Sequence, residues 1–234
     1  ISFGASLDLD TTYSNGGVSQ FIDAGVDTDE NGDTSTSATS DPEAFVAFGG
    51  ATLTLGNAGT ADDIGGINTP GFDGIGVDDF NSAAGSADVN FTYDFSGYTA
   101  GLSYNLANDD YALGFSGAVG ALAFDLGYGE VDATGENTTH LTIGYTAGAL
   151  SSIVYVESYE ADENTDSVTN YGLSIDYTMN ALTVTAAYAD IDCQDDANYA
   201  IGAAYDLGGG LTVAGGVGEV AGENAADLGF KMSF

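Results

Sequence analysis

Apolar and small polar residues alternate strictly from the first position. Ile1, Phe3, Ala5, Leu7 and Leu9 are interleaved with Ser2, Gly4, Ser6, Asp8 and Asp10, and a period of two puts the two sets on opposite faces of a β-strand. The pattern returns in the runs from Val89 to Phe95, Tyr98 to Tyr104, Tyr111 to Phe115, Leu122 to Tyr128 and Leu141 to Tyr145. It continues around Ile153 and Tyr155, then from Tyr171 to Tyr177, Leu182 to Tyr188, Tyr199 to Tyr205, Leu211 to Val217 and Leu228 to Phe234. With a weaker pair, Ala44 to Phe48 and Ala51 to Leu55, fourteen strands are predicted.

The residues between the apolar ones are mostly Gly, Ser, Thr, Ala, Asn and Asp, from which a packed core would not be built. A soluble β-sandwich with one wet face is also compatible with alternation. The connections favour a different arrangement, because short and long ones alternate. Short ones lie near Gly49-Gly50, Ser96-Gly97, Gly117 to Gly120, Ala147-Gly148, Met179-Asn180 and Gly208 to Gly210. Longer ones run from Thr11 to Pro42, Gly56 to Asp88, Leu106 to Asp110, Glu130 to Thr139, Glu160 to Asn170, Ile191 to Asn198 and Glu219 to Ala225. A meander with tight turns at one rim and acidic loops at the other predicts a transmembrane antiparallel up-and-down β-barrel, all-β throughout, in a single domain over residues 1–234. Greek-key sandwiches would need crossovers. Tyr111, Tyr128, Tyr145, Tyr171, Tyr177, Tyr199, Tyr205 and Phe234 stand at the ends of stripes. Any one of them reads equally well as an edge or core aromatic, but their repetition predicts girdles at the membrane interfaces.

Composition narrows the function classes. One Lys, no Arg and 36 acidic residues among 234 give a formal charge of −35, which argues against nucleic acid and directly bound anionic lipid as partners and should attract cations. Strong net charge often means disorder, yet 44% of the residues are hydrophobic, with 14 Tyr and 12 Phe. The 35 Gly and two Pro suit closely packed strands and tight turns. Cys193 is the single cysteine and cannot form an internal disulfide. No apolar run approaches the ~20 residues of a membrane helix, a criterion that misses barrels by construction. Ile1 follows neither Met nor a signal peptide, so the chain is expected to begin within a mature protein.

The C-terminal run from Ala225 to Phe234, with its alternating apolar residues and final aromatic, resembles the last strand of a bacterial porin. The hairpin from Tyr199 through Gly208-Gly209-Gly210 to Val217 and the segment from Tyr171 to Tyr177 resemble general porins of Rhodobacter-type alphaproteobacteria. The resemblance implies an outer-membrane location, a homotrimer in membrane lipid and lipopolysaccharide, and a terminal Phe234 read by the barrel assembly machinery. It also implies sixteen strands in the complete porin. Ile1 to Leu7 is similar to the family's third strand, so an N-terminal hairpin is expected to be absent from these 234 residues. A genuine fourteen-stranded barrel stays open, since an even number also closes.

In the same family an inward-folded constriction loop follows the fifth strand, and the segment 56–88 takes that place here. It carries Asp62, Asp63, Asp73, Asp78, Asp79 and Asp88 among glycines, with Pro70 at one bend; loops this long are usually functional or disordered. As a pore constriction these carboxylates would set the field that a solute meets; alternatively they only solvate an exposed loop. The family faces its acidic loop with basic wall residues. Here only Lys231 is available, with the inward parity of Asp227, Gly229 and Ser233, so a cation-preferring channel for passive diffusion of small hydrophilic solutes is expected. No cofactor is required. Asp73, Asp78 and Asp79 are candidate ligands for a structural Ca²⁺, which takes carboxylate and carbonyl oxygens, and Asp27 to Asp33 has a similar look. His140, the only histidine, is expected at a loop-to-strand junction on the surface, and no Ser-His-carboxylate set accompanies it, so the chain is not expected to be an enzyme. Two other readings stay open: a secreted acidic Ca²⁺-binding β-protein such as an adhesin or surface-layer module, and a fourteen-stranded substrate-specific channel.

Overall fold

The computed structural model describes residues 1–7, 42–71, 86–162, 164–192, 194 and 196–233, with residues 13–14, 17–18, 26–28, 34–36, 75, 77 and 80 between them. Fourteen strands form one sheet, each antiparallel to the next in the chain. They are β1 (Ser2–Leu7), β2 (Pro42–Phe48), β3 (Ala51–Ala58), β4 (Ala87–Phe95), β5 (Tyr98–Tyr104), β6 (Tyr111–Val119) and β7 (Leu122–Val131). Then follow β8 (Glu136–Ala147), β9 (Leu150–Glu160), β10 (Val168–Met179), β11 (Leu182–Asp190), β12 (Asn198–Gly208), β13 (Leu211–Val220) and β14 (Glu223–Met232). Two short ribbons, Tyr13–Ser14 with Gly17–Val18 and Val26–Thr28 with Thr34–Thr36, lie in the connection after β1. The sheet's edges are β1 and β14, which are not paired with each other among the described residues. Phe3 and Phe230 on these edges are 77% and 74% exposed.

Two-residue turns at one rim match the glycine-marked short connections. Ser96 and Gly97 both have positive φ, 51° and 86°, the geometry whose twist suits a tight hairpin. One predicted loop is overturned: instead of running from Glu219 to Ala225, the last connection is a turn at Ala221 and Gly222, with φ of 50° and 76°. Glu219 pairs with Asn224 and Val220 with Glu223 in the ladder. Those polar residues read as loop because their side chains favour water, but at a rim a strand can end in water.

Burial is inverted relative to a soluble protein. Leu102, Leu113, Val156, Leu173, Ile175 and Ile201 are exposed, whereas Ser103, Asp125, Glu157, Asn170, Ser174 and Asn198 are buried. An apolar outer face suits lipid, and laddered strands leave few backbone groups needing water there. Near the short-turn rim, Phe95, Tyr98, Phe115 and Phe124 form a continuous outer aromatic belt, with centroids 5.8 Å apart for Tyr98–Phe115 and 5.6 Å for Phe115–Phe124. At the loop rim, tyrosine hydroxyls donate to carboxylates: Tyr111 to Glu130 at 2.7 Å, Tyr171 to Asp190 at 2.7 Å and Tyr199 to Glu219 at 2.8 Å. Among the described residues, no helix is long and apolar enough to cross a membrane.

One parity differs from expectation. In β9 the outer set is Val154 and Val156, while Ile153 and Tyr155 point inward. Both sets contain apolar residues, so period alone could not choose; the ladder decides by pairing Leu141 with Val156.

Candidate functional site

The inner face is lined by small residues because successive strands place Thr, Ser, Ala and Gly there, and on it lies the segment that follows β3. Three hydrogen bonds tie its first part down. Asn90 on β4 donates its side-chain amide to the Gly59 carbonyl. The Ala61 N–H donates to Ser103 Oγ on β5 at 2.9 Å, and the Gly65 N–H to Asp125 Oδ2 on β7 at 2.9 Å. Further on, Ile75 and Val77 are buried with Ala187, Ala189, Ile191 and Ala200, the inner side of β11 and β12 and the connection between them. Phe80 packs on Tyr155 of β9, ring centroids 4.4 Å apart. At its return, the Asn105 amide donates to the Ser86 carbonyl at 3.2 Å, and Asp88 accepts the Leu106 N–H at 2.7 Å. The segment therefore crosses the wall from β4 to β12.

A single cross-strand row underlies this crossing. Gly101, Gly114, Gly127, His140, Glu157 and Asn170 are successive ladder partners on β5 to β10. The polar half of the row is a closed hydrogen-bond chain. Glu157, fully buried at 0% exposure, accepts from Tyr155 Oη at 2.9 Å and from Asn170 Nδ2 at 3.0 Å, and Asn170 Oδ1 accepts the Asp192 N–H at 2.8 Å. Burying a carboxylate is costly unless donors satisfy it, and here they do. His140 stacks on Tyr155 at 5.7 Å and hydrogen-bonds the Asp62 backbone. It lies well inside β8 with inner parity, not at a loop junction on the surface, because the strand begins at Glu136, five residues before the apolar run.

The predicted site residues are placed differently from one another. Asp62 is 7% exposed and turned into the contact between segment and wall, whereas its neighbour Asp63 is exposed. Asp125 is the inner-face acid beneath them. Lys231 lies on the inner face in one row with Thr212 and Asp206. Asp94, Asp176 and Asp227 share that face, so acids dominate it. Asp73, Asp78, Asp79, Cys193 and Phe234 lie outside the described residues. Among the described residues, no group of three or more His, Cys, Asp or Glu could hold a metal ion. Ser103, Asp125, His140, Glu157 and Asn170 were not singled out as site residues from sequence. Inner parity was readable for Ser103 and Asp125; Glu157 lies on a strand with apolar residues on both faces, His140 and Asn170 read as loop ends, and the partner that buries all five is remote in sequence.

Comparison with known proteins agrees with this architecture. A stretch of 70 residues is 46% identical to the porin of Rhodobacter capsulatus, spanning 27% of this chain and 23% of that protein's length. Two solved variants of the porin of Rhodopseudomonas blastica, each 21% identical, superpose with TM-scores of 0.68 and 0.69 over 89% of this chain and 81% of theirs, a likeness of fold. The family described as Gram-negative porin matches residues 1–225. An up-and-down sheet with an apolar outside, a small polar inside and an inward-lying segment is thus joined by a family match over nearly the whole chain: the chain belongs to the Gram-negative porin family.

Proposed function

We propose that this chain forms a water-filled channel in the bacterial outer membrane, through which small hydrophilic solutes and ions diffuse passively, with a preference for cations. Gram-negative porins are outer-membrane proteins and their fold carries no enzymatic machinery. The observation that carries the reading is the acidic segment seated across the small polar inner face. Such a segment occupies lumen cross-section, and in the reading offered here 56–88 is the constriction. Its exposed Asp63, with Asp94, Asp206 and Asp227 on the wall, sets a negative potential that Lys231 alone does not offset.

Two neighbouring observations support the partners. The aromatic belts suit membrane lipid on one side and lipopolysaccharide on the other. Assembly as a homotrimer through the barrel assembly machinery follows the family pattern. The test is conductance across a planar bilayer: steps in multiples of three and a cation-directed reversal potential in a salt gradient are expected. Anion preference would refute the acidic constriction, and a water-soluble, non-conducting monomer would refute the channel.

A further inference from the structure

We propose that Gly114 and Gly127, with Gly101 beside them, are positioning residues for the channel: lacking side chains, they let the inward segment's backbone rest on the wall and so set the free width of the lumen. This rests on the constriction reading above and adds the residues that fix where the constriction stands.

A Cβ on Gly114 would overlap the Ala61 carbonyl oxygen, and one on Gly127 would overlap the Asp62 carbonyl oxygen and the His140 ring. On Gly101 it would stand 3.2 Å from the Ala61 Cβ and 3.3 Å from the Ile64 side chain. The obstacle at Gly114 and Gly127 is backbone, which cannot swing aside as a flexible side chain can. None of the three has positive φ, so strand geometry does not demand glycine there. Glycine in a strand interior weakens it and often marks a close backbone approach. Here the approach is visible, in three consecutive ladder partners, and the Ser103 and Asp125 hydrogen bonds hold the segment on the same spot. A methyl group in this seat must lift residues 61–64 by about 1–2 Å, because packed atoms do not interpenetrate. The only free direction is into the lumen.

The experiment is single-channel recording of the full-length protein with alanine at each seat. Gly114→Ala and Gly127→Ala are expected to lower conductance by about 1.5- to 2-fold, as narrower sections limit flow, and to shift the reversal potential. Gly229→Ala, on the inner face of β14 with no atom within 4 Å of the added Cβ, should leave both unchanged. Heat-modifiable gel migration reports assembly. Should the larger overlaps prevent assembly, Gly101→Ala decides: its reduced conductance should be restored by adding Ala61→Gly together with Ile64→Ala, which removes the side-chain atoms that meet the new methyl group. Parental conductance and selectivity in the assembled glycine variants would overturn the seat. Asn68→Trp, on an exposed part of the segment, separates the two readings. A conductance drop there with no effect at the glycines overturns the seat alone, and no effect at either removes the constriction too.

Discussion

Replacing Ser103 with alanine removes one oxygen and should loosen one segment. Ser103 is 1% exposed, and its Oγ accepts the N–H of Ala61, itself fully buried, at 2.9 Å. With the acceptor gone, the N–H stays in a dry contact with no replacement, a loss of about 1–3 kcal/mol. The cost falls on local opening of the segment rather than on the ladder, because no sheet hydrogen bond is touched. At about 1.4 kcal/mol per factor of ten, amide exchange over residues 59–68 should speed up roughly 5- to 150-fold in Ser103→Ala. Hydrogen exchange by mass spectrometry on the detergent-solubilised protein reads this directly. Ser116→Ala is the control, since Ser116 is buried on the inner face of β6 but makes no hydrogen bond to the described part of the segment. Equal exchange in the parent and both variants would refute the claim that this bond anchors the segment.

Other consequences are equally concrete. Glu157→Ala leaves the Tyr155 hydroxyl and the Asn170 amide without their shared acceptor and should destabilise the barrel by about 2–4 kcal/mol, seen as a lower denaturant midpoint; Glu157→Gln, which keeps an acceptor, should lose less. Leu113→Lys, on the outer face of β6, should cost about 2–4 kcal/mol at mid-membrane depth, whereas Ala118→Lys, on its inner face, should assemble normally and weaken cation preference in reversal-potential recordings.

The sheet was legible because its code is local. Period-two alternation and glycine-marked turns yield the fourteen strands, their order and most of their faces, since each follows from residues within one hairpin. It failed where both parities are apolar, as at Ile153 and Tyr155, and where polar rim residues such as Glu223 and Asn224 continue a ladder. The site was less legible because it depends on contacts between remote positions. Asp62 and Asp63 are identical neighbours in sequence, and only the wall beneath them buries one and exposes the other. His140 read as a surface residue because the four residues before it, Glu136 to Thr139, look like loop; with Glu136 paired on one side and Asn137 to Thr139 on both, they are strand.

The tyrosine–carboxylate pairs of the loop rim act as a depth gauge. Each ring of Tyr111, Tyr171 and Tyr199 is bonded through its hydroxyl to an acid that has to stay wet, Glu130, Asp190 or Glu219. Sliding the barrel inward by one residue, about 3.3 Å along a strand, would drag these anions toward hydrocarbon. Sliding it outward would strip the rings of their amphipathic boundary. The molecule therefore floats at one level, and the rim from β6 to β13 holds that level without a covalent anchor.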